Sequence, residues 1–247
     1  MNTSSSPTDL STKSALVIGV GGLGCPALVA LARAGVGRLV LVDDDRVELS
    51  NLHRQVLFRD EDLGRDKLDA ARDALLRDGY TGAVELEKTR FVPDTALTLA
   101  ARADILLEGA DNFPTKFLAC DAARLSAKPV VHGAAVRFTA TAWCVAPEGR
   151  PCYRCLFEDL PAGDAVPNCA EAGVMAPVAG LAGALMADLA LRHLSGAPRS
   201  ALWAYGGKTD ALREVVVGGR QQCPLCGDQP SISDIQEARY LGGLCAA

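Results

Sequence analysis

The sequence predicts an α/β fold built on a doubly wound, mostly parallel sheet with an antiparallel extension. Two observations carry that reading. An apolar run at residues 15–20 leads through four closely spaced glycines into the helix formers of 27–34, and a second apolar run follows at 38–42. Short apolar strand patterns then alternate with helical ones as far as residue 131, after which strand patterns dominate. Strands alternating with helices make crossover units, and crossovers make neighbouring strands parallel.

The first unit is the most informative. Glycines at 19, 21 and 24 form a G-x-G-x-x-G fingerprint between strand and helix, with Gly22 beside them. Such glycines let the backbone approach a phosphate, and the helix behind offers unpaired N–H groups and a positive dipole end. Asp43 closes the second strand 19 residues after Gly24, where a carboxylate can accept hydrogen bonds from ribose hydroxyls. The unit is therefore Rossmann-like; Asp44 and Asp45 also read as a solvated strand end.

The remaining elements follow in order. Residues 63–76 read as a helix with Leu68, Ala71 and Leu75 on one face and Gly79 as its stop. Residues 83–87 form a short strand, and Pro93-Asp94 opens a helix to about residue 102. A buried strand at 105–107 runs into Gly109-Ala110-Asp111-Asn112, and Pro114 begins a helix to about 126. Strands are expected at 129–131 and 137–145, the second antiparallel because it alternates and is β-branched. A loop over 147–173 precedes a long apolar helix from Pro177 to about residue 194. Residues 202–205 and 212–217 form a closing strand pair, and a short helix falls within 233–240. The Ser/Thr-rich residues 1–13 are expected to be disordered, leaving 14–247 as a single domain.

Composition excludes several classes. The net charge of −5 over 247 residues gives no electrostatic reason for nucleic acid or an anionic membrane. No apolar run approaches the ~20 residues of a membrane span, and the polar N-terminus is no signal peptide, so a cytoplasmic location is expected. Nine cysteines there are not expected to pair as disulfides.

Two C-x-x-C units, Cys152/Cys155 and Cys223/Cys226, lie 68 residues apart. Each tight turn offers two thiolates, and two such turns complete a closed tetrahedral Zn²⁺ site with no open position for substrate. Asp111-Asn112 follows a buried strand at the mouth of such a sheet, where a carboxylate can hold Mg²⁺ against phosphates or an Asx residue can cap the next helix. Lys67 lies near a helix start, in reach of a bound phosphate or simply solvated. Cys169 sits alone on the loop before the apolar helix, either a nucleophile at a helix N-terminus or a small buried hydrophobe. Arg54, in Ser50-Asn51-Leu52-His53-Arg54-Gln55, suits an enzyme that stabilises phosphate charge better than a nicotinamide site.

With GVGGLG, LVDDDRVELSNLHRQ, GRDKLDAA and ADN in that order, the chain resembles the MoeB/ThiF/HesA family, bacterial relatives of ubiquitin-activating enzymes. The resemblance implies ATP- and Mg²⁺-dependent adenylation of the C-terminal glycine of a small ubiquitin-like sulfur carrier (MoaD-like or ThiS-like) ending in Gly-Gly. Pyrophosphate leaves, and the acyl-adenylate then accepts sulfur to become a thiocarboxylate. The resemblance implies that Gly22 lies against the nucleotide and Asp43, with Asp45 beside it, at the ribose. Ser50, Asn51 and Arg54 line the phosphates, Lys67 neutralises them, and Asp111 with Asn112 completes the metal and nucleotide contacts. Cys169 matches a cysteine that in some members bonds to the carrier end, and His53 is a loop residue. A homodimer and a separate sulfur-donor protein are expected.

Three departures from the family stand out: no arginine precedes the first strand, Lys116 replaces a usual arginine, and Cys120 a usual asparagine. Other readings are adenylation of a peptide end or modified tRNA base, a nicotinamide-dependent oxidoreductase, or a non-catalytic scaffold.

Overall fold

Strands β1 (Ser14–Ile18), β2 (Arg38–Val42) and β4 (Ile105–Glu108) are buried almost throughout. Strands so apolar on both faces need helices on both sides, as in parallel α/β sheets. The computed structural model describes residues 8–160 and 173–241 and shows that layering. Helices α1 (Gly24–Arg33) and α3 (Lys67–Arg77) and a long helix, Ala176–Leu194, cover one face through Leu28, Leu31, Leu75 and Met186. Helices α4 (Pro93–Ala101) and α5 (Phe113–Leu125) cover the other through Leu99, Phe117 and Leu118.

The remaining strands are β3 (Ala83–Glu87), β5 (Val130–Val136), β6 (Thr139–Val145), β7 (Leu202–Gly206) and β8 (Ala211–Val215). The eight form one sheet in the order β3-β2-β1-β4-β5-β6-β7-β8. Pairing is parallel from β3 to β5 and antiparallel from β5 to β8. The predicted Rossmann-like sheet with its antiparallel extension is thus present. The chain runs outward from β1 to β2 and β3, then returns to β4 on the other side of β1. That reversal opens a crevice at the carboxyl ends of β1 and β4, where ligands of doubly wound sheets bind.

Several boundaries differ from the sequence expectation. Helix α3 starts at Lys67, not at 63, because Asp60–Asp62 forms a separate 3₁₀ turn and Gly64 then takes a positive φ of 79°. A short helix α2 (Leu49–Leu52), not foreseen, lies within the SNLHRQ stretch. Strand β5 runs to Val136, further than expected, because its outer half pairs with β6 across a tight turn with Arg137 at φ 52°. The expected terminal helix is a single 3₁₀ turn, Glu237–Arg239. Within the stretch read as disordered, Leu10 is 7% exposed, and its carbonyl accepts the N–H groups of Lys13 and Gly37; residues 1–7 lie outside the described residues.

The short helix α6 (Tyr153–Leu156) and the C-terminal tail are pinned to α5 by one buried carboxylate. Asp121, fully buried, accepts Arg154 Nε and Nη2 at 2.8 Å each and the Tyr240 hydroxyl at 2.8 Å. Such a bidentate pair is tolerated in the interior because both carboxylate oxygens are engaged and the guanidinium also lies over the Phe117 ring. Asp121→Ala, which strands the Arg154 guanidinium, is expected to lower the unfolding free energy by about 3–5 kcal/mol in urea titration. A loss within the error of the titration would show the pair to be dispensable.

Candidate active site and four-cysteine centre

The crevice begins at the glycine turn. Gly19 takes a φ of 87°, and a Cβ on Gly24 would stand 2.1 Å from the Gly19 carbonyl oxygen. Glycine at 24 therefore lets α1 start against the end of β1. Leu23, the residue before the helix, supplies no side-chain cap. The Cys25 and Ala27 N–H groups donate to the Gly21 and Leu23 carbonyls and Pro26 has none, so the N–H groups left for an anion are those of the glycine turn itself and of Gly24. Gly22 faces Arg54, whose Cγ would lie 3.3 Å from a Cβ there, and Gly21 faces the Gln55 amide. The Arg54 stem thus lies against the glycine turn. Its guanidinium donates to the Asn51 side-chain oxygen and the Ser50 carbonyl, while Ser50 and Asn51 both donate to Glu48.

The acidic strand end sits opposite. Asp43 accepts the Val20 N–H at 2.7 Å and the Asp45 N–H at 2.9 Å. Burial pushes its carboxyl above the ordinary aspartate value, against the opposing charge of Lys67. Lys67, 4% exposed, reaches Asp45 at 2.7 Å and Asp43 at 3.9 Å. The Asp45 side chain is 61% exposed against 8% for Asp43, which makes Asp45 the more accessible carboxylate for an incoming hydroxyl.

Asp111 is exposed at the crevice rim beyond β4. Asn112 is the N-cap of α5, its side-chain oxygen accepting the Thr115 N–H at 2.9 Å. The capping role weighed for it from sequence is the one its oxygen fills. Cys169 lies outside the described residues.

Sequence reading passed over three further residues. Gln55, 3% exposed beneath Gly21, has a buried side-chain oxygen with no partner among the described residues; its place in SNLHRQ was the available signal. Glu108, fully buried at the end of β4, is ion-paired with Lys116 and hydrogen-bonded to His132 on β5. No sequence signal marks Glu108 or His132, which are 24 residues apart and meet through β4–β5 pairing.

The cysteines converge as their spacing implied. Cys152, Cys155, Cys223 and Cys226 are buried, with ligand atoms all within 4.8 Å of one another. The sulfur separations include 3.5 Å for Cys152–Cys223, 3.3 Å for Cys155–Cys226 and 4.0 Å for Cys152–Cys155. A tetrahedral zinc centre with bonds of about 2.3 Å has sulfurs about 3.8 Å apart, so the donor set fits that ion. Burial acts to raise the Cys223 thiol, yet the backbone N–H groups of Cys226 and Leu225 bring it down to about 7. The Arg220 N–H points at the Cys155 sulfur at 3.4 Å, the kind of outer contact that steadies a thiolate ligand. By contrast, burial pushes the Cys25 and Cys144 thiols up to about 12, and no chemistry attaches to them.

Two measurements follow. Treatment with a strong chelator should lower the thermal midpoint reversibly, by about 2–4 °C for each kcal/mol lost; an unchanged midpoint in protein proved metal-free by elemental analysis would give the four cysteines no metal-dependent part in the fold. Burial also lowers the His132 pKa below its ordinary 6.5, and that of His193 likewise. The unfolded chain then takes protons that the folded chain refuses, so stability present above 6.5 is lost as pH falls through the folded values. The thermal midpoint should drop between about pH 7.5 and 5.5, and a flat profile would contradict it.

Comparison with known proteins places the chain in a family. The ThiF family model matches residues 4–225. A sulfur carrier protein adenylyltransferase of Thermus thermophilus is 39% identical over 243 residues, covering 95% of this chain and 90% of that relative. The SAMP-activating enzyme E1 of Haloferax volcanii is 37% identical over 229 residues, 92% of this chain and 84% of its own. The adenylyltransferase and sulfurtransferase MOCS3 of Sus scrofa is 40% identical over 247 residues, but the chain spans only 53% of its length. Among solved structures, Escherichia coli MccB superposes with a TM-score of 0.79 at 23% identity, over 91% of this chain and 68% of MccB, a likeness of fold. The chain belongs to the ThiF family.

Proposed function

We propose that the protein is an adenylyltransferase that activates the C-terminal glycine of a small ubiquitin-like sulfur carrier with ATP, releasing pyrophosphate. The observation that carries this reading is Arg54 lying over Gly22 at the uncapped start of α1, with Lys67 at the facing strand end. Two cations and a helix N-terminus around one crevice suit a triphosphate, and relatives of nearly the same length bear the names of carrier-activating enzymes.

The chain's own groups divide the work. The glycine turn seats the phosphates, while Asp45 and Asp43 lie where the ribose would be. Lys67 exchanges part of its contact with Asp45 for a phosphate oxygen. Arg54 holds the α-phosphate and offsets the charge that builds as pyrophosphate departs. Asp111 is the residue that would hold Mg²⁺, which would supply further charge neutralisation. The carrier's carboxylate is ionised at neutral pH and needs no base; the site has only to align it with the α-phosphate. It displaces pyrophosphate and becomes an acyl-adenylate, ready for sulfur from a donor protein.

In this reading the four cysteines would hold Zn²⁺ as a structural clamp, and the Cys169 thiolate attacks the acyl-adenylate carbonyl and expels AMP, so that the carrier end is held as a thioester. The active form is a homodimer, with the exposed apolar residues Leu49 and Val56 beside the Arg54 loop as its first candidate surface. A cytoplasmic location accords with seven described cysteines that form no disulfide. Among the described residues no helix is long and apolar enough to cross a membrane.

ATP–pyrophosphate exchange should require a MoaD-like or ThiS-like carrier ending in Gly-Gly. Arg54→Ala should lower it about 10²–10³-fold while the thermal midpoint stays near wild type. Exchange equal to wild type in that variant would overturn the role given to Arg54, and exchange without any carrier would overturn the substrate.

A further inference from the structure

We propose that Glu108, Lys116 and His132 form a buried positioning device that fixes Asp111 for adenylation; the proposal rests on the nucleotide site described above.

The Glu108 carboxylate is fully buried and accepts four contacts. They come from Ala110 N–H at 2.7 Å, Lys116 Nζ at 3.1 and 3.0 Å on its two oxygens, and His132 Nδ1 at 3.1 Å. Lys116 Nζ also donates to the Gly133 carbonyl at 2.6 Å. All three ammonium protons are therefore directed inward, and Lys116 does not reach into the crevice. The residue that departs from the usual arginine serves the frame, not the nucleotide. Burial keeps His132 neutral, so Nδ1 carries the proton given to Glu108; its ring packs against Tyr153 at 4.7 Å between centroids, the planes tilted by 39°. That tyrosine lies between Cys152 and Cys155 in the chain, so the group touches the helix that carries two of the four cysteines.

Apolar side chains could fill this volume with no desolvation penalty, so packing alone does not call for an ion pair here. What the charges do is directional. Glu108 holds the N–H of Ala110, one residue before Asp111. Asn112, one residue after it, caps α5, and its carbonyl accepts the Lys116 backbone N–H at 3.4 Å. Asp111 is thereby held from both sides while its own side chain stays exposed. Lys116 further links α5 to β4 and β5, so helix, loop and both strands move as one piece. An exposed metal-binding carboxylate keeps its aim only if its backbone has no alternative conformation to visit.

Ubiquitin-like activation assays can test this with the full-length, zinc-loaded protein and a recombinant MoaD-like carrier ending in Gly-Gly. Glu108→Gln should lower kcat for pyrophosphate exchange by about 10–100-fold, since small misplacements of a reacting group cost that much. The KM for ATP, governed by the glycine turn, Arg54 and Lys67, should stay within about twofold, and the Mg²⁺ concentration for half-maximal rate should rise. Glu108→Asp and Lys116→Arg should each lower kcat, and the double variant, which moves length from acid to base, should recover most of the loss. This cycle decides the matter even if Glu108→Gln fails to fold. Wild-type kcat in the folded single variants, a rise in KM alone, or a double variant no better than the worse single would each overturn the proposal. Wild type and Asp111→Ala run alongside: an inactive wild type refutes the functional reading itself, whereas active wild type, inactive Asp111→Ala and unaffected Glu108 variants refute only the positioning device.

Discussion

The close approach of α1 to the end of β1 is the constraint on which the rest of the site depends. With the space beside Gly24 occupied by the Gly19 carbonyl, no side chain larger than hydrogen fits there without moving helix or strand. That contact sets the first turn of α1 directly above the sheet, at the point where strand order reverses between β1 and β4. Moving the helix outward by the width of a methyl group would carry the Gly24 N–H and the glycine turn before it away from Arg54 and Lys67. Gly183 makes the same kind of allowance on the long covering helix, where a Cβ would meet the Leu23 carbonyl oxygen at 2.3 Å. Two glycines on two helices thus keep the crevice floor close to the backbone.

Around that floor the protein buries ionic groups in matched sets: Lys67 with Asp43 and Asp45, Glu108 with Lys116 and His132, and Asp121 with Arg154 and Tyr240. Ions removed from water are tolerated only when geometry and partners are nearly complete. Each set joins elements that are distant in sequence: β2 with α3, β4 with α5 and β5, and α5 with α6 and the tail.

How much of this could be read from the chain follows from how local each feature is. The glycine fingerprint and the two C-x-x-C turns encode backbone conformation within a few residues, and both were legible. So was the antiparallel strand β6, through its alternation. The start of α3 was not, because the apolar periodicity runs back past Gly64, and only the positive φ adopted there shows the break. Glu108 looked like the polar end of an apolar strand and His132 like one residue of another; only the β4–β5 register unites them with Lys116. Asn112 was ambiguous for a physical reason, since one amide both caps a helix and faces a crevice. Asp43 and Asp45 were separable only once exposure was known.

The cysteine centre has a topological consequence. Its two halves, Cys152/Cys155 and Cys223/Cys226, enclose the long covering helix and the β7–β8 hairpin between them. With a metal on the sulfurs, this third of the chain becomes a closed ring whose ends cannot part. A protease that nicks the backbone anywhere inside the ring would leave two fragments still tethered, and they would separate only when the ion is withdrawn.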